Sequence, residues 1–189
     1  MRICMKPVRP GHDDLIGPLE TVPTGSSQWE RDVVGDTDYY ANWLRRGQVK
    51  PDMFQSTLEI SHQVKPSTAI DDINFHYLLS EVPTAGHAFY IDYSYCLIPI
   101  GATVPAKSSW VTGAHHVTFD GTEFANTYYY TSFVTDIPVP VSNTYSSLLL
   151  ICASRRGSGL DTYTGNVAVI HLGAHAKHTQ FGSVHVNSD

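Results

Sequence analysis

Charged residues are scarce in this sequence: Asp, Glu, Lys and Arg make up 16% of its 189 residues, where an average soluble domain carries roughly 25%. Too few remain to coat every face of a free monomer, so part of the surface is expected to be covered by partners. Positive charge is scarcer still. The 12 Lys and Arg stand against 18 Asp and Glu, a formal net charge of -6, and lie singly or in pairs such as Arg45-Arg46 and Arg155-Arg156. Nothing forms the basic stripe that a phosphate backbone requires, which argues against direct nucleic-acid contact. Cysteine is limited to Cys4, Cys96 and Cys152, with no CxxC pair. The last two sit in apolar runs and read as reduced, buried small hydrophobes rather than a disulfide, as suits synthesis in a cytosolic compartment. No run approaches the roughly 18 apolar residues of a membrane span. The opening MRICMKPVRPGHDD also lacks the apolar stretch of a signal peptide, so neither membrane insertion nor N-terminal secretion is expected.

What the chain does carry is strand and turn material. Hydrophobic residues reach 42%, with 11 Tyr, 14 Gly and 11 Pro, a balance that favours strands over helices. The length suits one domain that buries about two thirds of its unfolded surface.

Residues 1–54 have a texture of their own, with Pro7, Pro10, Pro23 and Pro51, many Asp and no sustained period of two. One short helix is expected at Asp36 to Arg46, capped by Asp36 or Asp38 and ended at Gly47. The rest of this segment is expected to be an extended arm. Trp29, Tyr39, Tyr40 and Trp43 are groups that a merely solvated tail would not carry, which favours an arm ordered on a neighbouring molecule.

From residue 55 to 178 strands recur between turn signals: Thr57 to Val64, Asp72 to Leu79, His87 to Ile98, Trp110 to Phe119, Thr127 to Val134, Tyr145 to Ala153 and Asn166 to Ala176. The clearest places Phe89, Ile91, Tyr93, Tyr95 and Leu97 on one face and Asp92 and Ser94 on the other. Seven to eight antiparallel strands at this spacing predict an all-β jelly-roll sandwich preceded by a long extended N-terminal arm, with residues 179–189 as a tail.

The 10 histidines invite comparison with cupins, jelly-roll enzymes that hold a metal through His and Glu. The spacing is wrong for it. His115 and His116 are adjacent and point to opposite faces of a strand. His171 and His175 share a face but stand roughly 13 Å apart along a strand, too far for one ion. His76 and Glu81 find no matching pair. Asp71, Asp72 and Glu123 read as turn-formers rather than a catalytic pair, and there is no GxSxG elbow. Cys152 lies among apolar neighbours where a thiol loses reactivity, and the Gly157-Ser158-Gly159 stretch lacks the Lys and helix of a phosphate loop. No catalytic residue, metal or cofactor is assigned. Tyr90, Tyr128 and Tyr130 are instead candidates for an exposed aromatic surface, because flat rings with a hydroxyl suit protein and sugar contacts.

The succession INFHYLLSEVPTAGHAFYIDYSYCLIPIGA, followed by SSLLLICASRRGSGLDTYTGNVAVIHLGAHAKH, resembles a group of tailed-bacteriophage virion proteins. The matching positions are Phe75-His76-Tyr77, Gly86 with Tyr90, Asp92-Tyr93, Tyr95, and Asp161 to Gly165 with His171, so the resemblance covers residues 70–178. It implies a non-enzymatic structural component of the particle, with His76 and His171 in structural positions. The leading expectation is a capsid cement or decoration protein on the outer capsid surface, binding the major capsid protein and itself as a dimer or trimer. Trp29, Tyr39, Trp43 and Phe54 are the expected anchors of its arm. The alternative is a tail-fibre or receptor-binding module whose tyrosines meet a host glycan, and a cupin-like metalloenzyme ranks last.

Overall fold

Strands form where alternation lets one face pack against the core. In Ala88–Pro99 the side chains of Phe89, Ile91, Tyr93, Tyr95 and Leu97 turn toward the core, while Tyr90, Asp92, Ser94, Cys96 and Ile98 turn away. The computed structural model describes residues 11–16, 18–22, 30–35, 39–44, 53–60, 69–139, 147–156 and 159–178. Its strands are β1 (Gly11–Ile16), β2 (Leu19–Val22), β3 (Glu30–Val33), β4 (Tyr40–Leu44), β5 (Met53–Ile60), β6 (Ala69–Leu79), β7 (Ala88–Pro99), β8 (Val111–Thr118), β9 (Tyr128–Pro138), β10 (Ser147–Arg155) and β11 (Val167–His178). A short 3-10 turn at Lys107–Ser109 is the sole helical element among the described residues.

The pairings are nested. Strands β7 and β8 pair at the centre, then β6 with β9, β5 with β10 and β4 with β11, all antiparallel. The chain from β4 onward is thus one long antiparallel ribbon folded at the β7–β8 connection. Rolling this ribbon sets β11 beside β6 and β10 beside β7. The result is two sheets, β4-β11-β6-β9 and β5-β10-β7-β8, the arrangement of a jelly roll. The first three strands enlarge them: β1 pairs with β11, β2 with β5 and β3 with β4. Every strand expected from Thr57 onward is present, with the first moved back to Met53–Ile60; residues 61–64 of that expected strand lie outside the described ones. Asp72 lies in β6, as its place at the start of the expected strand implies, and Asp71 lies beside it in the same strand rather than in a turn.

The helix expected over Asp36 to Arg46 does not form: Tyr40–Leu44 is a strand, and residues 36–38 and 45–46 lie outside the described ones. Helical spacing would put Tyr39 and Trp43 on one face. The structure uses strand spacing instead, placing Ala41 and Trp43 together in a small cluster with Val34, Leu78 and Ala168, while Leu44 turns into the main core. Described side chains on both faces of this short strand are buried, Ala41 and Trp43 on one and Leu44 on the other, so it shows no alternation to read. Gly35, at φ +56°, turns the chain between β3 and β4, and Val34 N–H donates to the Tyr39 carbonyl at 2.8 Å. The N-terminal segment is extended, as expected, but where described it lies on the chain's own two sheets.

Between the sheets, an aromatic chain runs through the core. Tyr77 meets Phe89 edge-on at 5.1 Å, Phe89 lies 5.8 Å from Phe119, and Phe119 meets Tyr163 at 5.2 Å. Leu58, Ile60, Leu149, Ile151, Val167 and Leu172 complete it.

One end of this core is ionic. Arg155, at the end of β10, is 1% exposed and Asp161, in the β10–β11 connection, is 0% exposed. Arg155 donates from Nε to Asp161 Oδ2 at 2.7 Å and from Nη2 to Oδ1 at 2.8 Å, a bidentate fork. Its remaining N–H groups reach the carbonyls of Tyr163 at 2.5 Å, Gly165 at 2.6 Å and Leu44 at 3.4 Å. Nearby, the Tyr163 hydroxyl donates to the Glu81 carbonyl at 2.9 Å, and Thr162 Oγ1 accepts from Ala88 N–H at 2.9 Å. Gly165 is required here, because a Cβ would collide with the Tyr163 hydroxyl.

Removing one member of a buried, fully hydrogen-bonded pair strands the other charge, so Asp161→Ala is expected to cost about 3–5 kcal/mol of unfolding free energy. Urea unfolding measures it, and a loss below about 1 kcal/mol would mean that the carbonyls alone satisfy Arg155. A chain truncated through residue 50 lacks β1 to β4 and uncovers β11. It is expected to lose its cooperative thermal transition and to aggregate, whereas a soluble truncation with an unchanged melting curve would show that β4 is dispensable.

Candidate functional site

Both sheets turn an outward face to solvent, and chemistry-bearing side chains collect on each. On the six-stranded sheet, register places His171 of β11 opposite His76 of β6, and His76 opposite Tyr130 of β9. The rings form a row: His171 to His76 at 3.7 Å and His76 to Tyr130 at 5.8 Å, both stacked. Tyr128 leans on the same imidazole, and its hydroxyl is hydrogen-bonded to His76 Nδ1. Tyr128 and Tyr130 are 55% and 64% exposed.

Beside this row, His175 Nδ1 lies 2.7 Å from Asp72 Oδ1, and the Ser132 hydroxyl donates to Asp72 Oδ2 at 2.6 Å. The three residue types are those of a hydrolytic triad, but the order is wrong. Asp72 stands between Ser132 and His175, so in this arrangement the imidazole is not placed to take the serine proton. Among the described residues, no three His, Cys, Asp or Glu side chains are grouped to hold a metal ion.

Midway along the five-stranded sheet the outward residues are small. Ser94, Thr112, Ala114, Cys152 and Ser154 line a trough of about 550 Å³, with Lys107, Asp92 and Arg156 also on its walls. Arg156 is held by Asp92 through Nε to Oδ2 at 3.1 Å and a second bond from Nη2 to Oδ1. The guanidinium lies over the Tyr90 ring at 5.9 Å, and Tyr90 stacks on His116 at 5.3 Å. Cys96 and Cys152 are free, and burial pushes both thiols above their usual range, so neither is an activated nucleophile. Cys152 faces Ser94 across the strand pair while Cys96 faces Leu150. The two sulfurs are therefore diagonal neighbours, a spacing of about 7–8 Å between backbones that disfavours a disulfide.

Farther along the same sheet lies an apolar groove of about 380 Å³ lined by Ile98, Pro99, Ile100, Val104 and Leu148, with Glu59 as its one charged residue. Ile100, Val104 and Leu148 are 67%, 58% and 43% exposed.

The residues picked out from the sequence are thus scattered. Tyr128 and Tyr130 share one face, whereas Tyr90 lies on the opposite sheet. Tyr39 is exposed just ahead of β4. Trp43 cannot serve as an anchor for a partner, because it is buried in its own chain against Leu78 and Ala168. Phe54 belongs to β5, its side chain outside the described residues, and Trp29 lies outside them altogether. The apolar groove was missed, although LIPIGATVPA, ten residues without a charge that run beyond the end of a strand, was its signal.

No family model and no curated protein matches the chain. Among solved structures it is similar to a carbohydrate-binding module specific for non-crystalline cellulose, with 15% identity, a TM-score of 0.37, and coverage of 73% of this chain and 76% of that one. It is similar too to a structure of infectious bursal disease virus, Gx strain, with 14% identity and a TM-score of 0.30, and to the VP2 subviral particle of infectious bursal disease virus, with 13% identity and a TM-score of 0.28. Those two matches cover 95% of this chain but only 39% and 40% of theirs. At such TM-scores the likenesses assign the chain neither a family nor a function.

His115 gives the sandwich a pH dependence. Its ring faces inward, Nε2 lies 2.9 Å from Thr131 Oγ1, and it packs at 6.4 Å from Phe133. Burial, helped by neighbouring His116, holds its pKa below the usual 6.5. Below that value the unfolded chain binds a proton that the folded chain resists. The stabilising contribution is therefore complete above pH 6.5 and is lost as pH falls through the lowered value. The melting temperature is expected to drop from pH 7.5 to 5 more steeply in the wild type than in His115→Gln. Parallel curves would assign the acid sensitivity to other groups.

Proposed function

We propose that this chain is a non-enzymatic structural protein of a tailed-bacteriophage virion. In this reading it is a cement or decoration protein that binds the major capsid protein, and further copies of itself, on the outer capsid surface. The observation that carries the reading is the exposed apolar groove at Ile100, Val104 and Leu148. Apolar side chains standing this far out of a folded β-sandwich, with one carboxylate among them, suit burial against a partner better than exposure to water. The low charge content of the chain supports the same reading, as does the resemblance of residues 70–178 to phage virion proteins. The inactive order of Ser132, Asp72 and His175 supports a role without catalysis. The arm enters differently from the sequence expectation: Trp43 contributes through the fold of β4, and Tyr39 is exposed.

A second reading, a receptor-binding module that meets a host glycan, is favoured by the exposed Tyr128 and Tyr130. Sugars stack on open ring faces, however, and here Tyr130 stacks on His76 at 5.8 Å and Tyr128 leans on it at 5.4 Å, so each tyrosine gives part of a ring face to the histidine.

The test uses particles. The paired substitution Ile100→Asp and Leu148→Glu is expected to leave the melting curve of the purified chain unchanged and to remove its band from particles that lack the native copy and are incubated with it. Wild-type chain should bind in amounts comparable with the major capsid protein. Full occupancy by the doubly substituted chain would overturn the groove as the attachment surface, and binding of the wild type at only a few copies per particle would favour the tail reading.

A further inference from the structure

A strand at the rim of a sheet presents a row of unpaired N–H and C=O groups, and soluble proteins blunt such rims with charges, proline, bulges or short length. Among the described residues five strands have a single hydrogen-bonded neighbour, β1, β2, β3, β8 and β9, and four of them are blunted; β1 carries Asp13 and Asp14. β3 is four residues long and reads Glu30-Arg31-Asp32-Val33. β2 is also four residues and carries Glu20. β9 is long, but its pairing with β6 shifts register between Ile73 and Asn74, Asp136 sits at φ +55°, and the strand ends at Pro138.

β8 has none of these devices. Its eight residues, VTGAHHVT, contain no Asp, Glu, Lys, Arg or Pro. They pair with β7 in unbroken register from Ala88↔Thr118 to Tyr95↔Val111, and among the described residues β7 is the one strand that β8 pairs with. Thr112, Ala114, His116 and Thr118 are exposed on its outward face.

We propose that β8 is a self-association edge, at which two copies of this chain join their five-stranded sheets into one continuous sheet through antiparallel β8–β8 pairing. This rests on the reading of the chain as a self-associating assembly component and names the surface that does it. A second copy suits the edge because it brings an equally uncharged strand, so the two chains, each at net charge -6, meet where neither carries a formal charge. Two-fold pairing also meets a register condition. Outward residues must lie opposite outward residues, so the axis passes through a residue, and only Ala114 or His115 leaves most of the strand paired. Small Gly113 and Ala114 stand at that centre, leaving the approach open. An eight-residue pairing is well below the standard interface of about 1,600 Å², so a dissociation constant in the micromolar range is expected.

Sedimentation equilibrium of the full-length chain, from low to high micromolar, is the test. The wild type is expected to dimerise. Thr112→Lys combined with Ala114→Lys sets like charges opposite or diagonal to one another across the axis and should weaken the dimer by about tenfold or more, with the melting curve retained. Thr135→Lys, a charge on the other long edge, should leave it unchanged. A monomer throughout the range, or a dimer unaffected by the β8 lysines, would overturn the proposal. Neither result touches capsid attachment, which is read separately on particles through Ile100 and Leu148.

Discussion

The fork between Arg155 and Asp161 is the contact on which this architecture turns. An arginine is rarely buried because its charge must be met on every side, and here five hydrogen bonds to four residues meet it. Asp161 takes two bonds from the β10–β11 connection, Leu44 answers from β4, and Tyr163 and Gly165 answer from the approach to β11. Satisfying one guanidinium therefore fixes the end of β4, the exit of β10 and the entry of β11 relative to one another. Tyr163 and Thr162 extend the same node to Glu81 and Ala88, at either side of the β6–β7 connection. A hydrophobic cluster could hold these segments near each other, but only directional bonds define where each backbone lies.

How much of this was legible depended on whether a strand had one buried face or two. β6, β7, β9 and β11 advertise themselves through alternation or through long apolar runs. β4 does not, because Trp43 and Ala41 fill one small cluster while Leu44 fills the main core. Its short, unpatterned stretch reads as well for a helix as for a strand, and only its pairing with β11 decides. The Asp161 to Gly165 turn was visible as a motif, but its meaning lay in Arg155, which reads from sequence as half of an unremarkable surface pair with Arg156. The structure divides that pair sharply: Arg155 is sealed in the core, and its neighbour reaches out to Asp92 and Tyr90.

The candidate surfaces show the same limit. Alternation assigns a tyrosine to a face of its strand but not to one of two sheets, so Tyr90 was grouped with Tyr128 and Tyr130 although a sandwich thickness separates them. Conversely, the geometry that separates the adjacent histidines and orders Ser132, Asp72 and His175 was partly available. Opposite orientation of His115 and His116 follows from strand periodicity alone, whereas the placement of Asp72 between Ser132 and His175 needs the register of three strands.

The nested ribbon has a consequence for the order of events during synthesis. Because β4 and β1 both pair with β11, the first strands made wait for the last before their edges are covered. The middle of the ribbon, β7 with β8, can close early, since its partners are near in sequence; the outer pairs must follow from the inside out. Nearly the whole chain therefore has to leave the ribosome before the sandwich can seal, and the aromatic side chains of the N-terminal strands stay uncovered for that interval.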